Sequence, residues 1–91
     1  HIPIQIVDER NRIRMIGAGI TIEKEKQFGK FVSLIPYTNI VKGLTLTGFK
    51  YPLDHYDFRG FCSLGVSNEI IAESAQITFE DGILIVIEAR D

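Results

Sequence analysis

Residues 75–87 read AQITFEDGILIVI and carry the clearest secondary-structure signal in the chain. Apolar and polar residues alternate over 75–80, which is the period-2 pattern of a β-strand with one buried face. Asp81 and Gly82 follow, and this dipeptide favours the left-handed backbone of a tight hairpin. The run 83–87 has no polar alternation, which is typical of a strand covered on both faces. The stretch therefore predicts a hairpin whose second strand lies inside a sandwich or a closed barrel.

The rest of the chain shows the same character. Alternation or short apolar runs predict four further strands, at residues 2–7, 12–15, 31–35 and 44–47. The polar turn at 8–11 joins the first two into a hairpin, and Pro36 ends the third because proline cannot donate to a central ladder. Only residues 69–73 could be helical, for one turn at most. The pattern predicts an all-β sandwich or barrel of about seven short strands.

Composition limits the class of protein. The chain has 91 residues, of which 45% are apolar and 24% charged, so it fits one small domain with a core. Its net charge of −2 argues against nucleic acid as a partner. No apolar run approaches the roughly 20 residues of a membrane span. Cys62 is the single cysteine, which suits a reducing compartment, and we expect a cytoplasmic protein. Because His1 stands in place of an initiator Met, we expect a fragment or a processed product.

Residue types give little support for catalysis within the chain. His55 has no second His or Cys at ligand spacing, so we expect no metal site. Cys62 and His55 have the residue types of a nucleophile pair, but a lone Cys is more often a small buried apolar residue. The glycine-rich phosphate-binding motifs GxxxxGK[ST] and GxGxxG are both absent from the sequence. We therefore expect no catalytic residue here.

Arg10 in the predicted turn, with Arg12 and Arg14 on the second predicted strand, forms a basic cluster. Such a cluster could bind an anion, but it follows Asp8 and Glu9 in a chain of net negative charge. We interpret it as a solvated strand face.

Two stretches combine groups suited to ligand recognition. Residues 48–53 place the aromatic ring of Tyr51 beside Lys50, and Pro52 forces Tyr51 into an extended conformation. Residues 65–69 present a hydroxyl and a carboxamide, which together can read a heteroaromatic edge. On local residue types alone, turn chemistry, with these groups bonding nearby backbone, is the favoured interpretation.

Four ordered blocks make the chain resemble the C-terminal thiamine-binding domain of thiamine pyrophosphokinase: residues 33–36, 44–53, 65–69 and 82–87. The opening stretch 8–13 also resembles the start of that domain, so the similarity covers nearly the whole chain. The resemblance implies a jelly-roll-like β-sandwich or barrel. It also implies that residues 1–91 are a single thiamine-binding domain, a fragment lacking the N-terminal domain that binds ATP and Mg²⁺ and transfers pyrophosphate to thiamine. It further implies a homodimer with thiamine near the subunit interface, and we expect dimerisation through an apolar β surface.

The resemblance assigns substrate-binding roles residue by residue. The family's Ser-Asn pair falls on Ser67 and Asn68 and is expected to contact the aminopyrimidine of thiamine. Its Gly-Leu-Lys-aromatic motif falls on 48–51, with Phe49 in place of the usual Leu, and places Tyr51 near the bound rings. Residues 44–47 depart from the family's pattern, so no contact is assigned to them. The competing hypothesis is a free-standing β-barrel module that binds a protein or a sugar and has no enzymatic activity.

Overall fold

The computed structural model describes residues 5–26, 28–59 and 66–90, which form two antiparallel sheets packed face to face. The strands are β1 (Gln5–Val7), β2 (Asn11–Ile16), β3 (Ile20–Glu23), β4 (Phe31–Pro36), β5 (Ile40–Thr47), β6 (Leu53–Arg59), β7 (Val66–Glu69), β8 (Ser74–Thr78) and β9 (Leu84–Ala89). A 3₁₀ turn covers Lys24–Lys26. The five-stranded sheet has the order β1-β2-β9-β4-β7, and the four-stranded sheet has the order β3-β8-β5-β6. The predicted all-β sandwich is confirmed.

The core lies between the two sheets. Both sheets contribute aliphatic side chains that are fully buried, because alternate residues of each strand point to the same face. The five-stranded sheet contributes Val32, Leu34, Leu84 and Val86, and the four-stranded sheet contributes Val41, Leu44, Leu46, Ala75 and Ile77. No helix among the described residues is long and apolar enough to cross a membrane.

The first predicted hairpin is confirmed for its described part. β1 and β2 pair antiparallel, and the pKa of Asp8 between them is lowered by backbone hydrogen bonds from Arg10 and Asn11. The predicted first strand also included residues 2–4, which lie outside the described residues. No helical turn forms at residues 69–73, since Ile70 forms a β-bridge with Phe49.

The predicted tight hairpin at Asp81-Gly82 is wrong. β8 belongs to the four-stranded sheet and β9 to the five-stranded sheet, so the two strands do not pair. Lys42 and Asp81 form a bridge, which carries the chain along β5 before it crosses to the other sheet. Gly82 has a positive φ of 112°, so the sequence signal did mark a special backbone position. The signal could not say which strand comes next.

The predicted solvated strand face is also wrong for Arg12 and Arg14 of β2. Arg12 pairs in register with Glu88 of β9, and Glu88 is 0% exposed. Arg12 donates from Nε and Nη2 to the two carboxylate oxygens at 2.8 and 2.9 Å, and Arg14 donates from Nη2 at 2.8 Å. Burial lowers the pKa of Arg14, against the pull of Glu88. These arginines lie on the inner face because a buried carboxylate needs cationic partners.

The opposite face of the five-stranded sheet is apolar. The register places one row of isoleucines, Ile6, Ile13 and Ile87, beside a second row formed by Met15, Ile85 and Ile35. Ile6 is 58% exposed and Ile35 is 40% exposed. We call this surface the outer apolar face. It explains why residues 83–87 lack polar alternation. Within the part of the chain that the structure describes, the inner-face residues of β9 are buried and its outer-face residues are partly buried.

The Glu88 cluster generates a stability prediction. Glu88→Gln removes the only carboxylate that the described residues place against Arg12 and Arg14. Breaking a buried ion pair costs about 3–5 kcal/mol. Since both arginines keep some solvent contact, we expect the free energy of unfolding to fall by about 3 kcal/mol. Urea denaturation measures this loss. The matched control is Glu25→Gln at an exposed position, which should change the free energy of unfolding by less than about 0.5 kcal/mol. A similar small change for Glu88→Gln would contradict the prediction.

Candidate functional site

The two stretches singled out in the sequence meet at one end of the sandwich. The segment after β5 runs antiparallel to the segment that leaves β7. Lys50 donates its backbone N–H to the Glu69 carbonyl at 2.8 Å, and Ile71 donates to the Gly48 carbonyl at 3.0 Å. The Phe49–Ile70 bridge lies between these bonds, and both side chains are buried. This pairing joins the four-stranded sheet to the edge of the five-stranded sheet.

Asn68 anchors the junction with its side chain. Its Oδ1 accepts the backbone N–H of Tyr51 at 2.9 Å, and its Nδ2 donates to the Tyr51 carbonyl at 2.7 Å. Oδ1 also accepts the backbone N–H of Glu69 at 3.0 Å. Asn68 lies in register with the buried Val32, on the inner face of the sheet, and is 4% exposed. The carboxamide therefore serves mainly the backbone of Tyr51, 17 residues away in sequence. The turn-chemistry interpretation expected bonds to nearby backbone, and only the Glu69 bond is of that kind.

The side chain of Tyr51 is open to solvent. It is 57% exposed, although its backbone is fixed on both sides. Lys50 Nζ lies 5.6 Å from the centre of the ring, within the range of a cation–π contact. The arrangement presents one aromatic ring on a rigid backbone, which can stack on a planar ligand or meet a cation.

Gly48 makes the close approach of the two segments possible. It has a positive φ of 80°, which glycine adopts at little steric cost. A Cβ at this position would overlap the Ser74 carbonyl oxygen. The local sequence therefore sets the course of the segment that ends at Tyr51.

Ser67 belongs to the described residues, whereas Cys62 does not. Ser67 lies in β7, and its backbone pairs with that of Ser33 in β4. Its role in ligand binding stays a prediction, as do those of Tyr51 and Asn68. Cys62 and Gly65 lie outside the described residues, so the burial expected for Cys62 stays a prediction, and the less favoured pair with His55 stays an alternative.

The described residues hold no group of three or more side chains suited to a metal ion. His55 is exposed, has a φ of 50°, and places its Nδ1 2.6 Å from an oxygen of Asp54. An open concavity of about 690 Å³ is lined by Glu23, Lys24, Glu25, Glu73 and Ser74. None of the predicted site residues lines it. The candidate site is therefore the junction of the two segments and not the concavity.

The junction generates a prediction at Gly48. Gly48→Ala should displace the segment 48–51, because of its positive φ and the contact with Ser74. We expect backbone amide exchange at Lys50 and Tyr51 to become at least about fivefold faster, the effect of losing about 1 kcal/mol of hydrogen bonding. Gly17→Ala is the control, since no atom lies within 4 Å of a Cβ there. Unchanged protection at Tyr51 in Gly48→Ala would contradict the role assigned to this glycine.

Comparison with known proteins gives one consistent result. A family described as thiamin pyrophosphokinase, vitamin B1 binding domain, matches residues 19–84. Thiamine pyrophosphokinase from Bacillus subtilis is 38% identical over 92 residues, which cover 100% of this chain and 42% of that protein. The chain therefore spans about two fifths of the length of the relative it matches.

Solved structures of similar proteins belong to the same family. The crystal structure of thiamin pyrophosphokinase from Geobacillus thermodenitrificans superposes with a TM-score of 0.88 at 36% identity, over 99% of this chain and 42% of that one. A thiamin pyrophosphokinase family protein from Enterococcus faecalis gives a TM-score of 0.79 at 27% identity, over 96% and 40%. Yeast thiamin pyrophosphokinase is 16% identical with a TM-score of 0.71, over 93% and 29%, which shows the shared fold.

Proposed function

Since the chain belongs to the family of thiamin pyrophosphokinase vitamin B1 binding domains, we propose that it binds thiamine as one domain of a thiamine pyrophosphokinase. The match of the family to residues 19–84 is the observation that carries this proposal. The alternative of a non-enzymatic interaction module receives no support from the comparisons.

The proposed parent enzyme transfers the pyrophosphoryl group of ATP to the hydroxyl of thiamine. The thiamine hydroxyl oxygen bonds to the β-phosphorus and loses its proton, while the bond from the β-phosphorus to the oxygen bridging it to the α-phosphorus breaks. AMP leaves with that oxygen, and thiamine diphosphate is formed. Following the family resemblance, we assign ATP and Mg²⁺ to a separate N-terminal domain. Residues 1–91 carry no phosphate-binding loop motif, and their described part holds no metal-ligand cluster. Residues 1–91 then form the substrate-side domain and supply no catalytic group. We further propose a cytoplasmic protein with no nucleic-acid or membrane partner.

We propose the junction of Tyr51, Ser67 and Asn68 as the thiamine site. Its exposed aromatic ring suits both rings of thiamine, because the pyrimidine can stack on it and the thiazolium is a cation. Tyr51 and Asn68 were predicted from separate stretches of sequence, and they lie in direct hydrogen-bond contact. This contact supports the proposal that both stretches form one site.

Calorimetric titration of the full-length gene product with thiamine tests the site. Tyr51→Ala removes the exposed ring, and we expect thiamine to bind about tenfold more weakly, since aromatic stacking contributes about 0.5–1.5 kcal/mol. Tyr37→Ala is the matched control, because Tyr37 is also exposed, at 61%. It follows Pro36 at the end of β4, whereas the start of β4, at Phe31, pairs with Glu69 beside the proposed site. Equal affinities for wild type and Tyr51→Ala would exclude the ring from the site, and no binding by wild type would refute the function.

We also propose a homodimer that buries the outer apolar face. Exposed apolar side chains are unfavourable in a monomer when they are contiguous, and this face carries two adjacent rows of them. A second copy of the chain is the occupant that the family resemblance implies. The outer face of the four-stranded sheet, by contrast, carries exposed polar residues such as Thr21 and Gln76.

Sedimentation equilibrium tests the dimer. Ile35→Lys places a charge among apolar side chains, and we expect the dimer to dissociate at least about tenfold more readily, because burying an unpaired charge is strongly unfavourable. Thr21→Lys adds the same charge to the polar face of the other sheet and should leave the association unchanged. A wild-type protein that stays monomeric at high concentration, or an Ile35→Lys protein that dimerises as wild type, would contradict the proposal.

A further inference from the structure

We infer that Asn68 is a positioning residue, which acts on the ligand through Tyr51 and not by contact with the ligand. The inference rests on the proposed function, since it says which residue of the thiamine site contacts the ligand and which one positions it. It departs from the expectation that the carboxamide of Asn68 reads the aminopyrimidine directly.

The hydrogen-bonding capacity of Asn68 carries the argument. A carboxamide offers two lone pairs on oxygen and two N–H donors. Both lone pairs of Oδ1 are taken, by the backbone N–H groups of Tyr51 and Glu69, and one N–H is taken by the Tyr51 carbonyl. No acceptor is left for the exocyclic amine of a pyrimidine. One N–H remains, but a residue that is 4% exposed offers a ligand almost no surface to reach it.

Tyr51 needs this support because of its place in the chain. It lies between the bridge at Phe49 and the start of β6 at Leu53, and Pro52 after it has no N–H to donate. The Asn68 side chain binds both the N–H and the C=O of Tyr51, as a neighbouring strand would. Pro52 restricts Tyr51 from the other side.

The consequence is an aromatic ring held in place before the ligand arrives. Tyr51 is 57% exposed and has Lys50 over its ring, so packing of the side chain holds it only weakly. Fixing the backbone beneath it removes conformational freedom that binding must otherwise remove, and this raises affinity without a new contact. Asn68 therefore determines how well Tyr51 binds the ligand.

A double-mutant cycle on the full-length gene product separates the two roles. We expect Asn68→Ala to weaken thiamine binding about five- to tenfold in the wild-type background, and to cause no further loss in the Tyr51→Ala background. If Asn68 instead contacts thiamine, its removal should weaken binding by the same factor in both backgrounds. That outcome would overturn the inference.

Amide exchange gives a readout that does not depend on thiamine. In Asn68→Ala the Tyr51 amide should exchange at least about fivefold faster, while the Val86 amide in the core keeps its protection and shows that the domain is folded. Asn68→Asp retains the acceptor but removes the donor to the Tyr51 carbonyl, so it should also weaken thiamine binding while leaving the Tyr51 amide more protected than Asn68→Ala does. A Tyr51 amide that stays protected in Asn68→Ala would overturn the inference even if wild type binds thiamine. A wild type that binds no thiamine would instead refute the proposed function.

Discussion

The buried carboxylate of Glu88 is the constraint on which the arrangement of the five-stranded sheet depends. A carboxylate with no solvent contact must be paired, and Arg12 and Arg14 of the neighbouring strand supply the partners. These arginines therefore occupy the inner face of β2, and the alternation of the strand turns Ile13 and Met15 to the outside. One ion cluster thus links the interior of the sandwich to the apolar character of its outer surface.

The all-β class follows from the sequence because period-2 alternation and turn residues are local signals. The pairing of strands is a non-local property, and the region around Gly82 shows the difference. Its sequence identified a glycine with positive φ but could not show that β8 and β9 join different sheets. In β2 the usual rule that charged residues face water failed, because the partner that reverses it, Glu88, lies 76 residues further along the chain.

The candidate site shows the same division. Residue types and family resemblance predicted Tyr51 and Asn68 as site residues, and in the structure the two are hydrogen-bonded to each other. What the sequence could not show is that Asn68 faces inward with its carboxamide bonded to backbone. Asn68 is suited to ligand recognition and to turn chemistry for the same reason, since its carboxamide both donates and accepts. Only burial and geometry distinguish the two uses.

The position of β9 in the centre of the five-stranded sheet has a consequence for the order of folding. β9 is the last strand among the described residues, and it pairs with the much earlier strands β2 and β4. Until the ribosome has released its segment, Arg12 and Arg14 lack their partner Glu88, and the two halves of this sheet have no strand to join them. Such distant pairing closes large loops and slows folding. A chain interrupted before residue 84 lacks the strand that unites the sheet, and exposes strand edges that a chaperone or a protease can bind.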